Sequence, residues 1–421
     1  MTTPAGCDIP ALHATIASSS ALHEQRRTLY QLAADLLEVD GPRVLQRDII
    51  DSPLTRQQIG DALAGRSRLS CSGLVAVSAL AAADAPAHGL QVVARPEANT
   101  LLADALAEVG AELARQRAPF TRPRLLTKID GSRFTAALAA LHDGIALARV
   151  ISPELVEDLL THVALVGMLD PHRAGGLSSG SSRTFPGLVL LGSGRSSIDV
   201  AEALVHEGAH QKLFDLGITH DLLTIDSERC APFHPPWTPA DRFWSLETTL
   251  AACHAYACLA RFGQDAGVPA GMRMVGPGSL LPVANDRSEI IGQWLLDNGG
   301  YLGNDAHTLL AGLFGRRPRI APTGDIPSVA VVADYVIDDE LVFRRCSSSD
   351  RVLVARPSLP PQLYWISADA AALLEFLRHR PFEEVIDTFT QRWKVPRWEV
   401  SERLTLLLSC LSASGLVTIS L

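Results

Sequence analysis

The chain has no CxxC pair: its seven cysteines, at 7, 71, 230, 253, 258, 346 and 410, are odd in number and scattered. That pattern argues against a disulfide framework or a structural zinc knot and suits reduced thiols. No stretch offers about 18 uninterrupted apolar residues for a membrane span, and Met1–Ser20 lacks the basic start followed by an apolar run that marks a secretion signal. Positive charge is also short, with a net charge of −9 that supplies no basic stripe for nucleic acid. Together these absences read as a cytoplasmic protein with neither a nucleic-acid nor a membrane partner. What is abundant is apolar sequence, 47% of 421 residues, enough for two or three cores at roughly 150 residues each.

The motif that most constrains the chemistry is His206-Glu207-Gly208-Ala209-His210, inside Ile198–Leu216, which reads as helix. Two histidines four apart project from one helix face, so both imidazoles can reach one metal ion with a carboxylate beside them. Upstream, Leu22–Leu37 has helical apolar spacing stopped by Asp40-Gly41-Pro42, and Ala76–Leu147 reads as several short helices. Ser152-Pro153-Glu154 opens a further helix running to about Leu169. Gly175–Ser182 reads as a mobile loop ahead of an apolar strand at Gly187–Gly192. Ser245–Phe262 is a long helix without a breaker, Arg287–Asp297 an amphipathic one, and Arg316–Pro327 an exposed linker. The expected division is a mostly helical region over 1–149, a metal-binding catalytic domain over 150–315, a linker over 316–331 and a separate domain over 332–421.

Two histidines do not hold a catalytic metal; a third protein ligand has to come from elsewhere, with positions left open for water, cosubstrate or substrate. The metzincin continuation needs Gly and His where Leu213 and Leu216 stand, so that subclass is excluded. Glu247 and His254, seven apart in the helix Ser245–Phe262, share a face and are the two leading candidates, with His220 and His234 behind them. A gluzincin-type zinc protease favours Glu247, whereas an oxygen-activating iron site accepts a histidine. The plain alternatives are a first-turn carboxylate favoured by the helix dipole and a core histidine with internal partners.

The run Ala203–Leu213 around the motif, then Pro236-Trp237, Arg242 and Ala252-Cys253-His254-Ala255-Tyr256, resembles the HExxH-motif proteins of ribosomal-peptide (RiPP) biosynthesis clusters over roughly Val150–Leu313. Members are regarded as iron(II)- and 2-oxoglutarate-dependent peptide β-hydroxylases. The resemblance implies that His206, His210 and His254, the last in the family's His-x-Tyr position, hold the metal, with Glu207 beside the ligands rather than one of them. The cosubstrate's distal carboxylate would need a cationic anchor, for which Arg242 and Arg183 are candidates.

Val332–Leu421 carries strand patterns at Tyr335–Ile337, Leu341–Arg345 and Val352–Ala355. A helix capped by Ser367-Ala368-Asp369 follows, then helices at Phe382–Trp393 and Glu399–Ser414 and a strand at Leu416–Ser420. This winged-helix-like pattern resembles the PqqD-like element that binds leader peptides, which would add as a strand at a sheet edge. Its third helix has only Arg403 against Glu399 and Glu402, which disfavours a DNA groove. The expected fold class is therefore α+β: a mostly helical catalytic domain with a zincin-like HExxH helix and a short β-sheet, plus a winged-helix-like (PqqD-like) domain. The expected function is iron(II)/2-oxoglutarate-dependent β-hydroxylation of a ribosomally made precursor peptide recruited through its leader. The alternative is a zinc metallopeptidase with Glu207 as general base.

Overall fold

The computed structural model describes residues 18–37, 44–70, 73–115, 123–172, 179–267, 279–314, 334–347, 349–413 and 415–420. The linker expected at 316–331, the Asp40-Gly41-Pro42 stop and residues 175–178 of the expected loop lie outside them. Helices of eight residues or more are, in chain order, α1 Ser19–Leu37, α2 Pro53–Leu63, α3 Ala103–Arg115, α4 Ser132–Ile151, α5 Pro153–Leu160, α6 Ser197–Thr219, α7 Leu246–Asp265, α8 Ala284–Asp297 and α9 Asn304–Phe314. They continue with α10 Ala368–Leu377, α11 Phe382–Trp393 and α12 Arg397–Ala413. The class is mixed α+β, mostly helical with small sheets. The chain forms two compact units, one of Met1–Arg26, Val44–Gly60 and Ser70–Ile320, the other of Arg27–Arg43, Asp61–Leu69 and Ala321–Leu421.

In the first unit a four-stranded sheet has the order β1 Gln91–Val92, β2 Leu165–Leu169, β4 Leu188–Gly192, β3 Ser179–Ser181. β1, β2 and β4 run parallel and β3 is antiparallel at the edge. β2 and β4 are buried throughout, because apolar residues cover both faces. Val166, Met168, Val189 and Leu191 face one core with α4, α5 and α6, whereas Leu165, Leu169, Leu188 and Leu190 face a second with Leu80, Leu102 and Phe185. The helix expected to reach Leu169 instead ends at Leu160, and its last stretch is β2. A short run such as Leu165-Val166-Gly167-Met168-Leu169 lacks a period of its own, and only the flanking strands decide its state. The expected loop likewise contains β3, whose serines and glycine carry no strand preference and are held by pairing to β4.

The motif helix α6 starts at a capping box, in which Ser196 and Asp199 satisfy each other's backbone amides. Its other sides are packed: Gly144 of α4 lies so close to Val200 that no side chain fits, and a methyl on Gly208, within the motif, would meet Leu159 of α5 at 3.1 Å. These contacts fix the helix on which the two histidines sit. Among the described residues α4 is the one helix long and apolar enough to cross a membrane by composition. Its Phe134, Ala137, Leu141, Ile145 and Ala148 are buried in the first core.

The second unit holds an antiparallel meander of β6 Val342–Arg345, β7 Arg351–Arg356 and β8 Gln362–Ser367, and a two-stranded pair of β5 Asp334–Ile337 with β9 Val417–Ser420. β8 was not expected from the sequence; the other strands and the three helices fall within a few residues of their expected places. Ser367 caps α10 by accepting from the Ala370 amide, and Val352, Val354, Leu374, Phe389, Leu404 and Leu408 fill the core.

Candidate metal centre

His206 and His210 leave the same face of α6 and bring their Nε2 atoms to 3.2 Å of each other. Two ligand nitrogens about 2.0–2.1 Å from a shared tetrahedral ion would stand a little over 3 Å apart, so this is the spacing a divalent metal requires. Burial, and then the neighbouring His206, push the His210 imidazole down to about 4. It is therefore neutral at neutral pH, the form that ligates a metal. His206 Nδ1 is buried and has no hydrogen-bond partner among the described residues.

Both histidines and Glu207 stand in the wall of a cavity of about 990 Å³. Glu207 is buried, and each oxygen accepts a hydroxyl from the edge strand: Ser179 at 2.7 Å and Ser181 at 2.5 Å. Alternation along β3 points both serines to one side, which is how a three-residue strand can clamp one carboxylate. The edge strand at the site is thus β3, whereas Gly187–Gly192, expected as the edge, corresponds to β4, inside the sheet between β2 and β3, with Leu188 and Leu190 also lining the cavity. One turn before His206, the Glu202 carboxylate accepts from Ser279 Oγ at 2.5 Å and the Leu280 amide at 2.6 Å, with burial raising its pKa.

The structure does not bring His254 to this pair. It is fully buried, with Nδ1 donating to the Ala209 carbonyl at 3.0 Å and Nε2 lying 3.9 Å from the Cys258 thiol. Burial pushes that thiol up to about 12, so it stays protonated and can donate. The sequence reading is corrected by helix geometry: seven residues return a side chain to the same face but move it about 10 Å along the axis. That offset carries His254 from the cavity into the α6–α7 interface, where it is a core histidine with internal partners.

Glu247, in the first turn of α7, does line the cavity, and it forms an ion pair with Arg183. Arg242 and His220 are also in the wall, His220 with Nδ1 2.8 Å from Thr219 Oγ1. His234 is exposed, with Nε2 3.2 Å from the Pro239 carbonyl. Sequence reasoning missed Ser179, Ser181 and Glu202, although Glu202 sits at i−4 from His206 and so on its face. It gave Tyr256 no role of its own; that ring lies 6.2 Å from His206 with its hydroxyl accepting from Arg287 at 2.9 Å.

Among the described residues only His23, His162 and Asp215 gather three potential ligand atoms within 4.8 Å of one another. That group already contains a cation, since Arg26 donates to Asp215 at 2.5 Å and to Asp51 at 2.8 Å. His162 Nδ1 lies 2.6 Å from the same Asp215 oxygen. A divalent ion there would have to displace a buried guanidinium. No known family model matches the chain, and no curated protein matches it.

Proposed function

We propose that the first unit is an iron(II)- and 2-oxoglutarate-dependent oxygenase that hydroxylates a β-carbon in a ribosomally made peptide, in the cytosol. The convergent Nε2 atoms of His206 and His210 fit a divalent metal. Glu247 replaces His254 as the third protein ligand, giving two histidines and one carboxylate. When bound, iron with 2-oxoglutarate and dioxygen supplies the oxidation: one oxygen atom replaces a C–H bond by C–OH, while 2-oxoglutarate becomes succinate and carbon dioxide.

One observation favours this over hydrolysis. Glu207 is buried and both its oxygens already accept serine hydroxyls, so an attacking water would have to compete for its lone pairs. In the oxygenase Glu207 has no proton to move; it ties α6 to β3 and so holds the histidines in place. Arg183 and Arg242 in the wall offer guanidinium groups for a cosubstrate carboxylate.

A zinc metallopeptidase is the second reading. It is supported by an antiparallel edge strand, β3, whose Ser179 and Ser181 contact Glu207 of the HExxH helix. The mass of a precursor peptide incubated with iron, ascorbate and 2-oxoglutarate separates the two. The oxygenase adds one oxygen atom only when 2-oxoglutarate is present, and Glu207→Gln keeps part of that activity; cleavage independent of 2-oxoglutarate, abolished in Glu207→Gln, supports the peptidase. The C-terminal part of the second unit, 334–420, with three helices, a three-stranded meander and a two-stranded pair, is proposed to be winged-helix-like (PqqD-like) and to take the leader as an added strand. Deleting 332–421 should then weaken turnover of the full precursor far more than that of a leaderless core peptide.

A further inference from the structure

The carboxylates that α6 gives to the cavity wall are committed to fixed partners: Glu202 to Ser279 and the Leu280 amide, Glu207 to two serines, Asp199 to the helix cap. Glu247, from α7, is different. Its partner is Arg183, the second residue beyond β3, and both side chains are about half exposed, at 48% and 56%. An exposed ion pair between two long side chains is weak, so either group can be drawn away cheaply. His206 and His210, which line the same cavity, have among the described residues no third His, Cys, Asp or Glu ligand atom within 4.8 Å of both.

We propose that Arg183 is a resident cation exchanged for the metal. On this assignment Glu247 leaves the guanidinium to become the third ligand, and the released Arg183 takes up a carboxylate of the anion that binds beside the metal. Metal loading and anion capture are then coupled through one carboxylate, because Glu247 cannot serve the metal and the guanidinium at once. Glu247 and Arg183 both end in rotatable chains, and both border the cavity.

The inference rests on the metal reading of the His206–His210 pair, and the test separates the two. Iron(II) is titrated anaerobically into the wild type and into Arg183→Ala, Glu247→Gln and His206→Ala, with circular dichroism verifying the fold. 2-Oxoglutarate is then titrated into each metal-loaded protein. Removing the competing cation should tighten iron binding about two- to fivefold in Arg183→Ala, while 2-oxoglutarate binding weakens about tenfold or more in the same variant. Glu247→Gln should weaken iron binding at least about tenfold, and His206→Ala should weaken it further. Iron binding unchanged or weaker in Arg183→Ala, or unchanged in Glu247→Gln, overturns the exchange while leaving the histidine pair standing. Iron retained in His206→Ala overturns both.

Discussion

Helix α6 carries two polar clusters less than two turns apart, and they have opposite characters. At Lys212 and Asp215 every charge is answered: Arg26 and His162 sit on Asp215, Asp158 on Lys212, and Asp51 also holds Arg26. At His206 and His210 two Nε2 atoms lie 3.2 Å apart in the wall of a cavity, within hydrogen-bond reach of each other and, among the described residues, with no carboxylate close to both. The buried cluster gathers histidine and carboxylate atoms more closely than the open one does, yet the Arg26 guanidinium already sits on its carboxylate. Proximity of ligand types is therefore a weaker guide to a metal than convergence of ring nitrogens at a cavity wall. The same contrast separates His254, satisfied in the core, from His210 on the cavity wall.

The comparison can be broken first at its closed end. Asp215→Ala leaves Arg26 buried without its nearest anion and should cost about 3–5 kcal/mol in denaturant unfolding; a loss below about 1 kcal/mol would mean the network is not structural. At the open end, His206→Ala should lower metal affinity about a hundredfold, with under about 1 kcal/mol change in stability measured with a chelator present. His254→Leu sharpens the distinction within the histidines. It removes a buried hydrogen bond and should cost about 1–2 kcal/mol, yet keep full metal occupancy; lost metal in a folded variant would restore His254 as a ligand.

Acid should act more gently. Burial depresses His162 below its ordinary 6.5, and His210 to about 4. The folded state thus prefers both neutral, and their contribution is complete above pH 6.5 and lost as pH falls toward the folded values. Asp215, held well below the usual carboxylate range with Arg26 its main stabilising partner, loses its contribution only below about pH 3.8. Stability of the metal-free protein should therefore decline from pH 7 to 5 by at most about 1.4 kcal/mol per pH unit per histidine. His162→Gln should flatten the decline, and an unchanged slope there would remove His162 from the account.

How much of this was legible depends on how local each signal is. The α6 helix, the Ser-Pro start of α5 and the Ser367 cap of α10 are written within a few residues, and they stand close to where the sequence puts them. So does the shared face of His206 and His210. β3 was not legible, because Ser179-Gly180-Ser181 becomes a strand only by pairing with β4, and the serine contacts to Glu207 went unseen with it. His254 failed for a related reason. A helix face is set by spacing, but how far along the axis it meets a cavity is set by how α6 and α7 pack. Arg26, His162 and Asp215 lie up to 189 positions apart, and no local pattern joins them.

The account turns on which cluster holds the ion. Metal content is the direct measurement, made on iron-reconstituted, desalted wild type, on His206→Ala/His210→Ala and on His162→Gln. The account predicts about one equivalent in the wild type and in His162→Gln, and essentially none in the double variant. Metal retained by the double variant, or lost from a folded His162→Gln, would contradict it.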